Sequence, residues 1–395
     1  MHFSLRLLLE AISATGTVGS LFYYVLSAAG LVSFLRSRRV ALPHASFPGI
    51  SVLKPLKGVD PEMWESFCSH AEQQYPLFEL IFGVSDEGDP AYQIVRQLQA
   101  KYPNLVIKLI VCNRVLGANV KVSNLVQMLP QASYDVLLVN DSDIRVASNY
   151  LRGIVAPLAD TSVGLVTCLY CGIAAKTLGS QLEALSIATD FAPGVLSARF
   201  MEKGLHFGLG STLLFRRQDL AAIGGFESFV DYLADDYELG RRIAAAGKRV
   251  ELSGVVVDTF LPTYSFGEFL NHQLRWWRTI RDARRGGYLG IIFTFGLPWA
   301  IFTVFAARGA VWAWALFTTT LAVRFAVGLG TALGALHDGS VVKQLVFLPL
   351  RDLIAPVLWA TGLVGNRIHW RGDIFTLKDG RLSRVMRETQ NPAKS

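Results

Sequence analysis

Residues 11–35 carry no charged side chain and run directly into Arg36, Arg38 and Arg39. An apolar helix of that length reaches across a bilayer, and the arginines behind it hold that end on the cytoplasmic side. A cleaved export signal, with Ser27-Ala28-Ala29 as its small-residue site, would need its basic cluster before the apolar run rather than after it. Residues 1–41 are therefore expected to form an anchor, with the following segment in the cytoplasm. Hydrophobic residues make up 51% of the 395 residues and charged ones only 17%. That balance is too apolar for an ordinary soluble enzyme of this length. The net charge of +7 suits anionic headgroups or phosphorylated ligands. Its arginines stand beside apolar runs, which points to a lipid bilayer as partner and away from nucleic acid.

Further apolar runs follow at 289–307 and 310–336, the second interrupted by Arg324. A charge at that depth either snorkels or faces a polar partner. Residues 341–364 are apolar but contain Pro349, Arg351-Asp352 and Pro356; they span, re-enter or lie on the surface. Residues 288–365 are read as this C-terminal membrane region. Residues 366–395 are read as a basic tail, with Trp370-Arg371 suited to the cytoplasmic interface.

Between these segments, residues 42–287 have a globular composition. Apolar runs at 50–53, 80–84, 106–111 and 136–139 read as buried strands. The stretches 61–74, 90–101, 120–129 and 149–158 read as helices between them, with Asp60-Pro61 and Asp89-Pro90 as caps followed by a first-turn proline. The alternation predicts a doubly wound α/β sheet, whose ligands bind beyond the carboxyl ends of the strands. Residues 180–204, with Pro193 in the middle, form either a helix pair on the membrane surface or a core helix. Residues 266–285 read as a helix in the interface plane, with Phe266, Leu270, Leu274 and Trp277 on its apolar face. Cys168 and Cys171 have metal-ligand spacing, but no second pair completes a zinc site; all four cysteines read as small buried residues.

Acidic signatures occur in order along this region: Asp86-Glu87-Gly88-Asp89, Asp141-Ser142-Asp143 and Asp235-Asp236. A basic aromatic signature follows, His272-x-x-Arg275-Trp276. Asp141 and Asp143 end a hydrophobic run and offer hard oxygens to Mg2+ or Mn2+ alongside phosphate oxygens. Such an ion draws off charge from a leaving diphosphate. Adjacent carboxylates raise each other's proton affinity, which makes Asp236 a candidate base for an alcohol. Asp235 is expected to cap the helix that follows. Arg275 can grip a diphosphate and Trp276 can pack on a sugar face. Lys54-Pro55, Lys121 and Asn124 stand where a nucleotide would be cradled, although Asn119 could simply cap a helix. Gly224-Gly225 reads as a flexible turn beside the site.

The order Lys54-Pro55-Leu56-Lys57-Gly58-Val59-Asp60-Pro61, Asp89-Pro90, Asp141-Ser142-x-Ile144-Arg145-Val146, Asp236-Tyr237 and Arg275-Trp276 resembles the ceramide glucosyltransferases. These are membrane-bound inverting enzymes with a GT-A fold. The resemblance implies that Asp89 and Asp141 contact the nucleotide-sugar, with Asp86 and Ser142 beside them. It implies further that Asp143 helps hold the metal and Asp236 is the base. Arg275, Trp276 and His272 would stabilise the departing diphosphate and shape the acceptor entrance. Asp143 stands where the animal enzymes have Gly, and His272 where Gln or Arg is usual. These departures, with Val122-Ser123-Asn124-Leu125 and Thr167-Cys168-Leu169-Tyr170, look more like the bacterial hopanoid-biosynthesis glycosyltransferases of the same family. The implied partners are a UDP-sugar and a membrane lipid acceptor. The favoured acceptor is a hopanoid polyol, bacteriohopanetetrol, and ceramide is the alternative. The implied location is a bacterial inner membrane. A processive polysaccharide synthase shares these motifs but needs more spans. A catalytically dead sugar-nucleotide sensor would not need every acidic position.

Overall fold

The computed structural model describes residues 2–38, 47–370 and 373–385. Arg39, the expected boundary at 41/42, Arg371 and the tail beyond 385 lie outside them.

The first half folds as the apolar runs predict. Strands β1 (Ile50–Pro55), β2 (Phe78–Val84), β3 (Ile107–Val111) and β4 (Val136–Val139) are separated by helices Met63–Ala71, Pro90–Lys101 and Val120–Met128. They pair in parallel in the order β3-β2-β1-β4. Side chains alternate across this sheet, as strand geometry requires. Leu53, Ile81 and Leu137 enter the core on one face; Val52, Leu80, Phe82 and Leu138 enter the core on the other. Asp89 caps its helix by accepting from Ala91 N, with Pro90 in the first turn. Asp60 does not cap: the first helix starts at Met63 behind Glu62, whose φ is 53°.

The second half adds strands that hydrophobic runs did not reveal. They are β5 (Ile144–Arg145), β6 (Val163–Ile173), β7 (Leu213–Arg216) and β8 (Arg249–Phe260). The full sheet reads β3-β2-β1-β4-β7-β6-β8-β5. β7 runs antiparallel to both β4 and β6, and β8 runs parallel to β6. The carboxyl ends of β1, β4, β6 and β8 and the start of β7 therefore share one edge. Cys168 and Cys171 both lie on β6, about 10 Å apart along an extended chain, and all four cysteines are buried and free.

The membrane-type helices are fused to this core rather than tethered to it. Leu31 and Phe34 of the N-terminal helix, and Ala332, Leu336 and Leu348 of the C-terminal region, belong to the same apolar cluster as Leu53 and Leu165. Helices Leu5–Ser37 and Val311–Leu336 are long and apolar enough to cross a membrane. The expected span at 289–307 is broken into Arg285–Thr294 and Gly296–Ala306, bent by 54°. Residues 341–363 do not read as a crossing. Their start packs in the sheet's core. Their end is held by Arg281, which donates to the Gly362 and Gly365 carbonyls at 2.7 and 2.8 Å. Both ends thus lie on the sheet's side.

The stretch around Pro193 is core, not a surface roof. Helix Leu178–Ser186 continues through a wide π turn, Ile187–Phe191, into Ala192–Met201. Pro193 has no N–H, so the carbonyl of Thr189 one turn earlier loses its helical donor. Arg324 fills the gap, with Nη1 2.6 Å from that carbonyl. The same guanidinium pairs with Asp352 at 2.8 and 2.9 Å and with Asp190 at 3.1 Å. Arg324 faces polar partners and does not snorkel.

The tail is also structured. β9 (Arg367–Trp370), β10 (Asp373–Lys378) and β11 (Arg381–Arg384) form a three-stranded antiparallel sheet. Ile368, Phe375, Leu377 and Leu382 pack on Leu233. Backbone bonds join Leu233 N to the Gly380 carbonyl and Leu382 N to the Asp231 carbonyl, at 3.1 and 2.7 Å. The tail therefore sits on the catalytic side of the molecule.

Truncating one partner of a buried ion network leaves the other charges uncompensated. Arg324→Ala is expected to destabilise the protein by about 3–5 kcal/mol, read as a lowered thermal transition in detergent. Arg324→Lys is expected to recover little of this, because an ammonium cannot serve two carboxylates and a carbonyl with the same geometry.

Candidate active site

The shared edge of the sheet opens into a cavity of about 980 Å³. Pro55, Lys121, Asn124, Asp141, Ser142, Asp143, Asp235, Asp236, His272, Arg275 and Trp276 all line it. The carboxylates are far apart in sequence and reach the cavity for different local reasons. Asp141 and Asp143 follow the end of β4. Asp235 and Asp236 open helix Asp235–Ala245, where the helix dipole favours negative charge.

Lys121 holds part of this cluster together. Its Nζ lies 2.8 Å from Asp141 Oδ1 and 3.0 Å from Asp235 Oδ2. Burial disfavours its charge, but Asp141, Asp235 and Asp236 outweigh that and raise its pKa. Asp235 is thus the first helical residue and a partner of Lys121. It is not the cap, which is Ala234 and uses no side-chain bond. Asn119 does cap, accepting from Val122 N at 3.2 Å.

Asp236 is the carboxylate best prepared to take a proton. Its oxygens accept from Gly210 N and Tyr237 N, both at 2.8 Å. Desolvation, then repulsion from Asp235, pushes its pKa up to about 6 despite Lys121. Asp143 is also lifted to about 6, by burial and then by Asp141, while Thr259 donates to it. Asp141 and Asp143 provide two hard oxygen donors on one wall. No cluster of three His, Cys, Asp or Glu side chains suited to a metal occurs among the described residues. The set still fits Mg2+ or Mn2+, which commonly take one or two carboxylates and draw their other ligands from phosphate and water.

Three expected donor-binding residues stand outside the cavity lining. Lys54 is fully buried. It donates from below to the Asp141 carbonyl at 3.0 Å, and burial drives its pKa down to about 7. Asp89 is spent on Gly58 N, at 2.9 and 3.1 Å, as well as on its helix. Asp86 closes a turn on Gly88 N at 2.8 Å. Gly224 and Gly225 do form a turn, with φ of 90° and 69°, also away from the lining.

Helix Phe266–Ala283 forms another wall, opened by a capping box between Ser265 and Glu268. Its buried stripe is Phe269, Gln273 and Trp277. Leu270 and Leu274 are only partly buried, and Phe266 is exposed. The buried face is therefore rotated from the expected one, because helices Leu178–Ser186 and Leu348–Leu363 cover it. His272 stacks on Tyr264, with ring centroids 5.3 Å apart and 28° between planes. Trp276 meets Phe191 edge-on at 5.8 Å.

Several lining residues were not expected in the site from sequence: Asp60, Tyr170, Glu183, Thr259, Trp370 and Asp373. Asp60 lay inside the Lys54–Pro61 motif, and its carboxylate accepts from Ser142 Oγ. Glu183 carried a readable signal, as an acidic residue inside an apolar helix. Trp370 reads from sequence only as an interfacial residue, and Thr259 and Asp373 carried none.

Gly210 sits between the two functional carboxylates. A Cβ there would lie 3.1 Å from Asp141 Oδ2 and 3.3 Å from Asp236 Oδ2. Gly210→Ala is expected to spread these groups and reduce turnover at least about tenfold, at a stability cost of about 1–3 kcal/mol. Turnover assays beside thermal unfolding would check this.

The sequence model of the family described as Glycosyl transferase family 21 matches residues 14–383. Ceramide glucosyltransferase 3 of Caenorhabditis elegans is 25% identical over 394 residues, covering 94% of this chain and 83% of that protein. The ceramide glucosyltransferase of Komagataella phaffii is 34% identical over 120 residues, covering 29% of this chain and 24% of that protein. Among solved structures, the mannosyltransferase PcManGT from Pyrobaculum calidifontis, in complex with GDP-Man and Mn2+, superposes with a TM-score of 0.55. That match covers 90% of this chain and 96% of the other at 20% identity. The mixed sheet is the GT-A architecture that the sequence resemblance implied.

Proposed function

Because this chain belongs to glycosyltransferase family 21, we propose that it moves one sugar, glucose or N-acetylglucosamine, from a UDP-sugar to the hydroxyl of a membrane lipid, with inversion at the anomeric carbon. It is a hexosyltransferase of the ceramide glucosyltransferase type. The observation that carries the finer reading is the gathering of Asp141, Asp143, Asp236, Arg275 and Trp276 around one cavity. The apolar core of that cavity's sheet is continuous with the membrane-type helices.

In this reading the lipid hydroxyl enters beside Asp236. Its proton passes to the Asp236 carboxylate as the oxygen attacks the anomeric carbon. The bond from that carbon to the UDP oxygen breaks on the opposite face. Arg275 stabilises the charge left on the diphosphate. Asp141 and Asp143 would hold Mg2+ or Mn2+, which when bound supplies further positive charge to that group. Trp276 packs on the sugar or shapes the acceptor entrance. Asn124 and Lys121 border the nucleotide side.

The favoured acceptor is a hopanoid polyol such as bacteriohopanetetrol, supported by Asp143 and His272 at positions where the animal enzymes differ. Ceramide with UDP-glucose is the second reading, favoured by the ceramide glucosyltransferases among the relatives. The favoured setting is a bacterial inner membrane with the catalytic sheet in the cytoplasm, supported by the arginines behind the first helix. Mass spectrometry of lipids from cells with and without the protein tests this directly. One glycolipid should vanish, and its mass and backbone name the sugar and the acceptor. Loss of a polymer ladder instead would favour a processive synthase.

Asp236→Asn is expected to lower transfer by at least about a thousandfold while UDP-sugar binding, measured by calorimetry, persists. Near-normal turnover would remove Asp236 from its role. The raised Asp236 pKa sets the sign of the pH dependence. Above about pH 6 the base is ionised and active; below it the carboxyl is protonated and transfer falls. Asp235→Asn removes a repulsive neighbour, so that limb of the pH–rate profile is expected to move to lower pH.

A further inference from the structure

The C-terminal sheet supplies one wall of the cavity. Ile368, Trp370, Asp373 and Phe375 border it, although the catalytic sheet and all the membrane-type helices precede them in the chain. Across β9 and β10, Trp370 stands opposite Asp373 and Ile368 opposite Phe375. Directly opposed residues, and every second residue along a strand, share a face. All four therefore stand on the face that packs against Leu233. A tryptophan anchored in a bilayer interface would stand elsewhere. Trp370 is half-buried and leans on Phe375, with ring centroids 6.2 Å apart. Part of its indole stays open to the cavity.

Two attachments put this wall at a particular end of the site. The strand order β3-β2-β1-β4 means that the chain builds outward from β1 to one side and then crosses to the other. Nucleotides bind such sheets at that switch point, beyond the carboxyl ends of the strands. Lys57 stands there, on the loop that leaves β1, and its Nζ lies 3.1 Å from Asp373 Oδ2. Arg384 holds Asp373 Oδ1 at 2.6 Å, so the carboxylate is fixed between two cations. The second attachment is apolar. Ala118 packs on the same cluster as Trp370, and the helix that begins just after it carries Lys121 and Asn124 into the cavity. The cavity's other tryptophan is placed differently. Trp276 and Tyr170 both meet Phe191, next to the Asp190 that pairs with Arg324 of a crossing-length helix.

We propose that Trp370 is a donor-binding residue whose indole packs on the nucleoside base of the nucleotide-sugar. Asp373 is a positioning residue that ties the Trp370 strand pair to Lys57. This deepens the transferase reading above and rests on it. A base offers a flat face to an indole, and such stacking does not depend on which base it is. The donor site is thus completed by a segment that follows the last membrane-type helix.

The test uses the full-length protein in detergent. A UDP-sugar carrying an azide on the uracil ring is bound and photolysed, and labelled peptides are mapped by mass spectrometry. Label is expected on the peptide that carries Trp370 and is expected to disappear when unlabelled UDP competes. Trp370→Ala is expected to raise donor KM at least about tenfold, with acceptor KM changing far less. Trp370→Phe is expected to recover most of that loss. Asp373→Asn is expected to raise donor KM by a smaller factor, because the backbone bonds at Leu233 and Leu382 still hold the sheet. If Trp370→Ala does not fold, as judged by thermal unfolding, the photolabel on the wild type and the donor KM of Asp373→Asn decide. Label confined to other peptides, an unchanged donor KM in Trp370→Ala, or a fall in kcat alone overturns the proposal while leaving the transferase intact. A wild type that neither binds UDP nor glycosylates a lipid overturns the transferase reading, and this site with it.

Discussion

One ammonium group lets this site exist. Lys121 Nζ lies within 3.0 Å of both Asp141 and Asp235, and Asp236 is close enough to feel its charge. Without that cation the carboxylates would repel one another across a partly dry cavity, and some would be driven to protonate. With it, Asp141 and Asp235 are paired in place, while Asp236 and Asp143, which it does not touch, have raised proton affinity. The division of labour among these acids therefore follows from which of them Lys121 touches. Lys54 does similar work from beneath, through the Asp141 backbone.

The membrane-type helices and the catalytic sheet form one packing unit. Arg324 repairs the carbonyl left by Pro193 and ties together Asp190 and Asp352. Phe191, next to Asp190, packs on Trp276 at the cavity wall. A single buried guanidinium thus links a crossing-length helix to the aromatic lining of the site. Desolvation makes such a network costly to leave half-satisfied, so its members are fixed together or not at all.

Much of the site was legible along the chain. Strand ends followed by acidic residues are local features, and β1 to β4 with Asp141 and Asp143 emerged from them. The helix of Arg275 and Trp276 was legible from its period. Its buried stripe was not, because neighbours on more than one side decide which residues are covered. β6 and β8 escaped notice because they carry polar residues, Thr167 and Tyr170 on one and Glu251, Ser253 and Asp258 on the other, that break an apolar run. The tail sheet escaped because its short strands are charged and bury their apolar residues against Leu233, distant in the chain.

The sequence by itself determined the kind of chemistry and its order along the chain: hard carboxylates, a basic aromatic helix and apolar lengths matched to a bilayer. Those depend on residue type and near neighbours, which a linear chain specifies. Only the tertiary structure decided which carboxylates face one another, that Asp89 is spent on a loop and that Glu183 lies buried at the cavity's border. It also brought 341–363 and the tail back to the catalytic side. Each of these is a contact between segments distant in the chain, fixed by packing and by the cost of leaving a buried charge unpaired.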